Sequence, residues 1–193
     1  MLKGVKIIQE SVAVLPEYGR IPISFEVKTV FDIVLIRGGL GGFQLSERRV
    51  EPSWVKDYDA YDDQGPARWA NRWDISNWVV ISAFLNDNRI GGCVIAYDTP
   101  GVDKLERRKD IAALWDLRVE PKHRRQGLGG RLVEAAIAWA QKHRCCMLKI
   151  ETQNINVPAC RLYAKHGFML GAVNRYSYRE LPDESELIWC KEL

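Results

Sequence analysis

The residues best placed to do chemistry lie in one turn, Lys122-His123-Arg124-Arg125-Gln126-Gly127-Leu128-Gly129-Gly130. A β-rich run over residues 112–119 precedes it and stops at Glu120-Pro121, because the proline forces Glu120 away from helical dihedrals. A helical pattern opens at Leu128. A strand, a basic glycine-rich turn and a helix in that order make an anion site. The free N–H groups of the first helical turn point at the loop, the glycines let an oxygen-rich ligand approach, and Arg124 and Arg125 add charge. The chemistry is phosphate binding. The turn has neither the spacing of GxGxxG nor a Gly-Lys-Ser/Thr, so it matches neither common nucleotide motif.

A second set of residues suits a cationic partner. Asp116 and Arg118 fall on one face of the preceding strand, with Trp115, Leu117 and Val119 on the other. An acid inside an apolar strand is costly unless paired. Asp116 therefore either serves as a general base or substrate orienter, or is neutralised by a neighbour such as Arg118. Glu151 on the next strand either holds an amine or caps the loop beginning at Thr152. Residues 51–63 mix acids with Trp54, Tyr58 and Tyr61, and are read as a surface helix followed by a loop. Its Trp54, Tyr58, Asp59, Asp62 and Asp63 combine aromatic faces with carboxylates, a combination that suits a polyamine-like cation. Tyr176 and Glu186 are weaker candidates of the same kind. Cys160 has no histidine suited to act as its base, so a packed thiol is expected there.

The elements that must position these groups follow from periodicity. Residues 128–143 carry Leu132, Val133, Ala136, Ile137 and Ala140 at helical spacing, with Arg131, Glu134, Gln141 and Lys142 turned to water. Residues 78–84 and 90–97 are β-rich runs joined by an Asn/Asp turn, and their near-continuous apolar character implies a sheet covered on both faces. Residues 147–152 form a short strand. Residues 158–165 form a short helix ended by His166-Gly167, where the glycine takes the left-handed cap position. Residues 168–178 and 186–190 are closing strands. The order is β-β-β-α-β-α-β-β after an irregular first third, which holds apolar pieces in residues 21–36 and a glycine-rich loop at 38–42. A mixed sheet with helices on its faces buries such a set.

From about residue 78 the chain resembles the GCN5-related N-acetyltransferase superfamily, whose signature Arg/Gln-x-x-Gly-x-Gly/Ala is matched by Arg124-Arg125-Gln126-Gly127-Leu128-Gly129. The second landmark is Asn154-Ile155-Asn156-Val157-Pro158-Ala159-Cys160-Arg161-Leu162-Tyr163, followed by Lys165-His166-Gly167-Phe168. The resemblance implies an α/β fold with a mixed central sheet, helices on both faces and a splayed cofactor-binding strand. It implies one domain over 1–193, with an acceptor-side portion at 1–75 and an acetyl-CoA-binding core at 76–193. Carried over, the backbone of Leu117, Arg118 and Val119 meets the pantetheine arm, and residues 126–130 hold the pyrophosphate, including Gly130. Asn156 contacts the cofactor, Tyr163 protonates the leaving thiolate, and a backbone N–H, that of Leu117, stabilises the oxyanion. Leu114-Trp115-Asp116-Leu117-Arg118-Val119, residues 149–160 and Asn174-Arg175-Tyr176 resemble the streptothricin acetyltransferases. That resemblance implies acetyl transfer from acetyl-CoA to an amine of a β-lysine moiety on a cationic antibiotic, directly within a ternary complex. Other amine acceptors, such as a polyamine or a protein amine, and a noncatalytic acyl-CoA-binding module remain open. Dimerisation through the closing strands is implied by family analogy.

Composition bounds the rest. The 193 residues are 47% hydrophobic and 27% charged, with a formal charge of +3, which suits one globular domain and an anionic cofactor. No aromatic-basic stripe or helix-turn-helix pattern accompanies the mild basicity, so no nucleic-acid partner is expected. Five cysteines without zinc or CxxC spacing read as reduced thiols, and three histidines make a metal site improbable. The opening residues meet charge too early for a signal segment, and no stretch reaches membrane-spanning length, so a cytoplasmic protein with no membrane partner is expected. The seven tryptophans and seven tyrosines suggest aromatic surface beyond the core.

Overall fold

The computed structural model describes residues 2, 4–61 and 65–193. In chain order the elements are β1 (Lys6–Glu10), α1 (Leu15–Tyr18), β2 (Phe25–Leu35), β3 (Phe43–Lys56), β4 (Val79–Leu85), β5 (Asn88–Tyr97), β6 (Ile111–Val119), α2 (Leu128–Lys142), β7 (Met147–Gln153), α3 (Val157–Lys165), β8 (Met169–Asn174) and β9 (Glu186–Glu192). From β4 onward this is the order expected from periodicity. The chain forms two compact units, one of Met1–Ser24, Asp57–Ile150 and Cys190–Leu193, the other of Phe25–Lys56 and Glu151–Trp189.

The larger unit is built on a mixed sheet with strand order β1-β4-β5-β6-β7. The first three neighbouring pairs are antiparallel, whereas β6 and β7 are parallel. Two consecutive glycines of β5 show how its faces are covered. A Cβ on Gly91 would meet Leu128 Cδ2 of α2 at 3.3 Å, and one on Gly92 would meet Tyr18 Cε2 of α1 at 2.9 Å. Successive strand residues point to opposite faces, so α1 and α2 lie on opposite sides of the sheet. The helix α2 buries Leu128, Leu132, Val133, Ala136, Trp139 and Ala140 on one stripe. On the α1 side Leu15, Tyr18, Trp69, Trp78, Val80, Val94 and Ala113 share one core cluster.

Trp54, Tyr61 and Tyr176 supply exposed aromatic surface, while most of the tryptophans are interior. Trp69, Trp73, Trp78 and Trp115 pack ring against ring within this cluster, from stacked (Trp73 on Trp78) to edge to face (Trp73 on Trp115), with ring centroids as close as 5.0 Å. The Trp78 indole donates to Thr99 Oγ1 at 2.8 Å and that of Trp73 to the Gly101 carbonyl at 3.2 Å. These two indoles thus keep their N–H groups satisfied, whereas those of Trp139 and Trp189 are buried without a hydrogen-bond partner among the described residues.

In the smaller unit β2 and β3 form a long antiparallel hairpin, and residues of β7, β9 and β8 lie side by side in that order. The first third is thus largely strand rather than irregular, and residues 51–56 end β3 rather than form a helix. Only Lys56 of the fourteen β3 residues is buried, so the strand lacks the alternation of a half-buried sheet. Cross-strand pairing holds it instead: Arg48 grips Asp32 through two bonds of 2.8 and 3.0 Å, and Ser53 donates to Glu26 at 2.8 Å. The register slips between Val27 and Thr29, opposite a stretch containing Pro52, which has no N–H to give the ladder. Val27, Val30 and Ile155 form a small core. Asn154 fastens the unit. Its side chain donates to the Phe31 carbonyl at 3.0 Å and accepts from the Ser185 N–H at 2.8 Å, while its backbone bonds the same two residues. Lys56 and Glu184 form a buried ion pair at 2.5 Å. No helix among the described residues is long and apolar enough to cross a membrane.

Candidate active site

The strand β6 is paired on one side along its length and on the other only in part. Its register with β5 runs from Ala112 to Val119, whereas its register with β7 covers Ile111 to Leu114. Beyond Leu114 the β7-side edge carries backbone groups outside any ladder, as a splayed strand does. Leu117, Arg118 and Val119, whose backbone the family resemblance assigns to the pantetheine arm, lie in this stretch, where the Val119 carbonyl accepts from Arg124 Nε at 2.8 Å.

A register shift separates Val94↔Asp116 from Ile95↔Leu114, leaving Trp115 as an extra residue. Such a bulge breaks strict alternation. Trp115 packs on the cluster containing Tyr18, and the next residue, Asp116, bonds the Tyr18 hydroxyl. The expectation that these neighbours face opposite ways is therefore corrected by the bulge.

Asp116 is 8% exposed and Arg118 2%. Arg118 Nε lies 3.0 and 3.2 Å from the two Asp116 oxygens, and its Nη2 donates to Oδ2 at 3.1 Å. With the Tyr18 hydroxyl donating to Oδ1, four contacts occupy the acceptor positions of the two oxygens. This favours the ion-pair alternative for Asp116 over a proton-accepting one. Arg118 also grips Asp59 at 2.7 and 2.9 Å and donates to the Ile21 carbonyl at 3.0 Å. Burial pulls the guanidinium down, but the Asp116 charge and the bonds to Asp59 and Asp116 outweigh it and raise it above its ordinary range. Burial, then the Asp116 charge, push the Tyr18 phenol well above its ordinary value. Arg118 was nominated for its backbone; its side chain is the hub of this network.

The glycine-rich turn after β6 has the expected backbone. Residues Pro121–His123 form one 3-10 turn, Arg125 takes a left-handed φ of 59°, and Gly127 caps α2 with φ 87°. No side chain caps this end. The Arg131 N–H makes the first helical bond, to the Gly127 carbonyl at 3.2 Å, which leaves the N–H groups of Leu128, Gly129 and Gly130 ahead of the ladder. Gln126 closes the turn by donating to the Lys122 carbonyl at 2.9 Å. Arg125 is exposed beside it. This open end fits a pyrophosphate, and the one-sided edge of β6 fits the amides of a pantetheine arm.

Arg124 departs from expectation. Its guanidinium donates to the carbonyls of Val119 at 2.8 Å, Ser24 at 2.7 Å and Pro22 at 2.9 Å. The sequence expects its charge at a phosphate, but all three nitrogens serve backbone oxygens. Burial lowers it from its ordinary value, with the Glu120 charge opposing.

In the smaller unit Asn156 is the N-cap of α3, its Oδ1 accepting from the Ala159 N–H at 3.3 Å, and Pro158 occupies the first turn. Gly167 ends α3 with φ 79°, as expected. Tyr163 is 7% exposed, its ring 6.2 Å from that of Phe168. Glu151 accepts a 2.6 Å bond from the Tyr178 hydroxyl, which accepts in turn from Gln153 at 3.1 Å. Burial and the Glu151 charge raise the Tyr178 phenol far above its usual value. Burial pushes the Cys160 thiol up to about 12, so it stays protonated, as a packed thiol does.

The remaining nominated residues are spread along the chain. Trp54 is 42% exposed on β3, and Tyr176 is 83% exposed after β8. Tyr58 is half-buried, with its ring 6.4 Å from that of Tyr61. Asp59 faces Arg118, its side chain 29% exposed. Asp62 and Asp63 lie outside the described residues. Tyr18, Asn154 and Tyr178 carry contacts that no local pattern announces: Tyr18 meets a strand 98 residues away.

An open helix end after a one-sided strand is an arrangement able to hold a ligand that carries both phosphates and amides, as an acyl-CoA does. The family model described as the acetyltransferase (GNAT) family matches residues 46–168, and the chain belongs to that family as an acetyl-CoA-dependent acetyltransferase. It is 31% identical to the Escherichia coli streptothricin acetyltransferase over 168 residues, covering 86% of this chain and 83% of the relative. It is 36% identical to streptothricin acetyltransferase A of Bacillus subtilis (strain 168) over 147 residues, 76% of this chain and 77% of the relative. A Bacillus anthracis protein crystallised in complex with acetyl coenzyme A superposes with a TM-score of 0.73 at 25% identity, covering 98% of each chain.

Proposed function

We propose that the protein acetylates an amine of the β-lysine moiety of a streptothricin-like antibiotic, by direct transfer in a ternary complex. The observation that carries this reading is the similarity to two streptothricin acetyltransferases over most of both chains.

Acetyl-CoA supplies a thioester activated toward amines. In this reading the N–H groups of Leu128, Gly129 and Gly130 hold the pyrophosphate, and Arg125 adds charge from the exposed side of the turn. The backbone of Leu117 to Val119 meets the pantetheine amides, with the Leu117 N–H donating to the carbonyl oxygen as negative charge develops. Asn156 completes the cofactor contacts. The acceptor arrives as an ammonium, which must lose a proton before it can attack. Glu151 is assigned to orient that group and accept the proton, directly or through water, with Tyr178 holding the carboxylate in place. Asp116 is assigned to its ion pair. Tyr163 donates its hydroxyl proton to the departing sulfur. Capture of a polycation is assigned to the aromatic side chains of Trp54, Tyr58 and Tyr176 and to the carboxylates of Asp62 and Asp63, and Asp59 is assigned to its pair with Arg118.

The test is thiol release from acetyl-CoA across a panel of streptothricin, polyamines and basic peptides. Release with streptothricin at a kcat/KM at least tenfold above the other acceptors is expected. Equal inactivity on every acceptor, from folded protein that binds acetyl-CoA, would sink the reading.

A further inference from the structure

We propose that Arg124 and Arg118 are positioning residues that fasten both chain segments flanking the β2–β3 hairpin to the cofactor strand, so that filling the phosphate turn and ordering those segments are coupled. The inference rests on acetyl-CoA use and not on the identity of the acceptor.

The chain leaves for the hairpin after Ser24 and returns at Asp57. Residues 21–24 belong to no helix or strand, and Pro22 has no N–H to offer one. Carbonyls in such a segment need partners from elsewhere. Three of the four find them on guanidinium groups: Ile21 on Arg118 Nη1 at 3.0 Å, Pro22 on Arg124 Nη2 at 2.9 Å and Ser24 on Arg124 Nη1 at 2.7 Å. The return segment is held by the same device, since the Asp59 carboxylate takes both terminal nitrogens of Arg118. The opposite ends of these clamps sit on β6. Arg118 is part of that strand and is bonded to Asp116, while Arg124 Nε donates to Val119, the last strand residue, at 2.8 Å.

Arg124 stands three residues before Gly127, in the turn that receives the pyrophosphate. A ligand that restricts the backbone of this turn restricts the root of the Arg124 side chain, and with it the carbonyls of Pro22 and Ser24. Coupling of this kind is reciprocal: order in the segment favours the ligand by the amount that the ligand favours order. A guanidinium reaches three separate acceptors from one planar fork, which the single ammonium of lysine does not reproduce. A clamp and a phosphate ligand therefore answer differently to the same substitution. A phosphate ligand keeps its function when replaced by lysine, because the charge survives. A clamp loses it.

The experiment compares backbone hydrogen exchange, with and without saturating acetyl-CoA, in the full-length wild type, Arg124→Lys and Arg124→Gln, alongside calorimetric acetyl-CoA binding. In the wild type, acetyl-CoA should slow exchange across residues 20–25 by about threefold or more. In both variants that slowing should vanish and exchange of the free protein over these residues should rise by about tenfold, while the acetyl-CoA Kd moves by less than about threefold. The inference is overturned if the lysine variant behaves as wild type while the glutamine variant loses about tenfold or more in acetyl-CoA affinity with exchange over residues 20–25 unchanged. Asp59→Asn tests the other segment without touching the turn. It should raise exchange over residues 57–61 and remove its response to acetyl-CoA; a wild-type response there also overturns the coupling, even if the Arg124 variants do not fold. Failure of the acceptor panel leaves these readouts intact, so the two proposals fail separately.

Discussion

Replacing Asp116 with asparagine separates its two possible roles, because the side chain keeps its shape while losing its charge. Arg118 then retains Asp59 but loses the carboxylate on which three of its close contacts converge. Removing one partner of a buried ion pair costs about 3–5 kcal/mol. The bidentate Asp59, whose side chain is 29% exposed, still compensates the guanidinium, which puts the expected loss near the lower bound, about 3 kcal/mol. In a chain of this length that is a drop of roughly 6–12 °C in Tm. The assay pairs urea unfolding with turnover per folded molecule at saturating acetyl-CoA. A structural ion pair predicts the full loss of stability with kcat within about tenfold of wild type, since a general base is worth about 10²–10⁴-fold. The reasoning is refuted by an Asp116→Asn protein that keeps its stability to within about 0.5 kcal/mol yet loses 100-fold or more, in order of magnitude, in kcat. Asp116 would then be the proton acceptor. Tyr18→Phe completes a double-mutant cycle, and a coupling above about 0.5 kcal/mol is expected for residues in such contact.

Tyr163→Phe should lower kcat by roughly 10²-fold while the acetyl-CoA Kd, read by calorimetry, stays within about threefold; unchanged turnover would remove Tyr163 as the acid. Gly92→Ala would set a Cβ 2.8 Å from the Ile81 carbonyl oxygen and 2.9 Å from Tyr18 Cε2, and chemical denaturation should show a loss of about 2–3 kcal/mol. Glu10 on β1 pairs with Arg89 at 2.6 Å. Burial pushes this carboxyl up, but bonds from Arg89 and Ser82 and the Arg89 charge win and hold it below 4.5. The pair's contribution is present above that value and disappears as pH falls through the lower folded one. Unfolding midpoints of Glu10→Gln and wild type should therefore differ at neutral pH and converge in acid below about pH 4; a constant difference would reject the pair as a source of acid sensitivity.

The stretch from β6 through α2 was legible because its determinants are local. Pro121 stops β6, three glycines open α2, and the stripe through Leu132, Val133 and Ala136 makes one helical face. The hairpin was not, since β3 is exposed on both sides and its order comes from pairing with β2 rather than from burial. Alternation placed Trp115 and Asp116 on opposite faces and failed at the bulge, a feature decided by the register with β5. Composition identified Arg124 as a cation in the turn, yet whether a guanidinium points at a phosphate or at the carbonyls of Pro22 and Ser24 depends on a segment about a hundred residues earlier. Tyr18 was invisible for the same reason.

The Tyr18 hydroxyl, sealed against Asp116, gives the protein an alkaline limit. Its phenol is raised in the fold, and so is that of Tyr178, whereas both return to about 10 in the unfolded chain. Groups raised by folding stabilise the native state below the unfolded value and lose that contribution as pH climbs past it. In a spectrophotometric titration these two of the seven tyrosines should stay dark while the native state lasts. Their phenolate absorbance should then arrive together with the loss of tertiary structure, as one cooperative step above about pH 10.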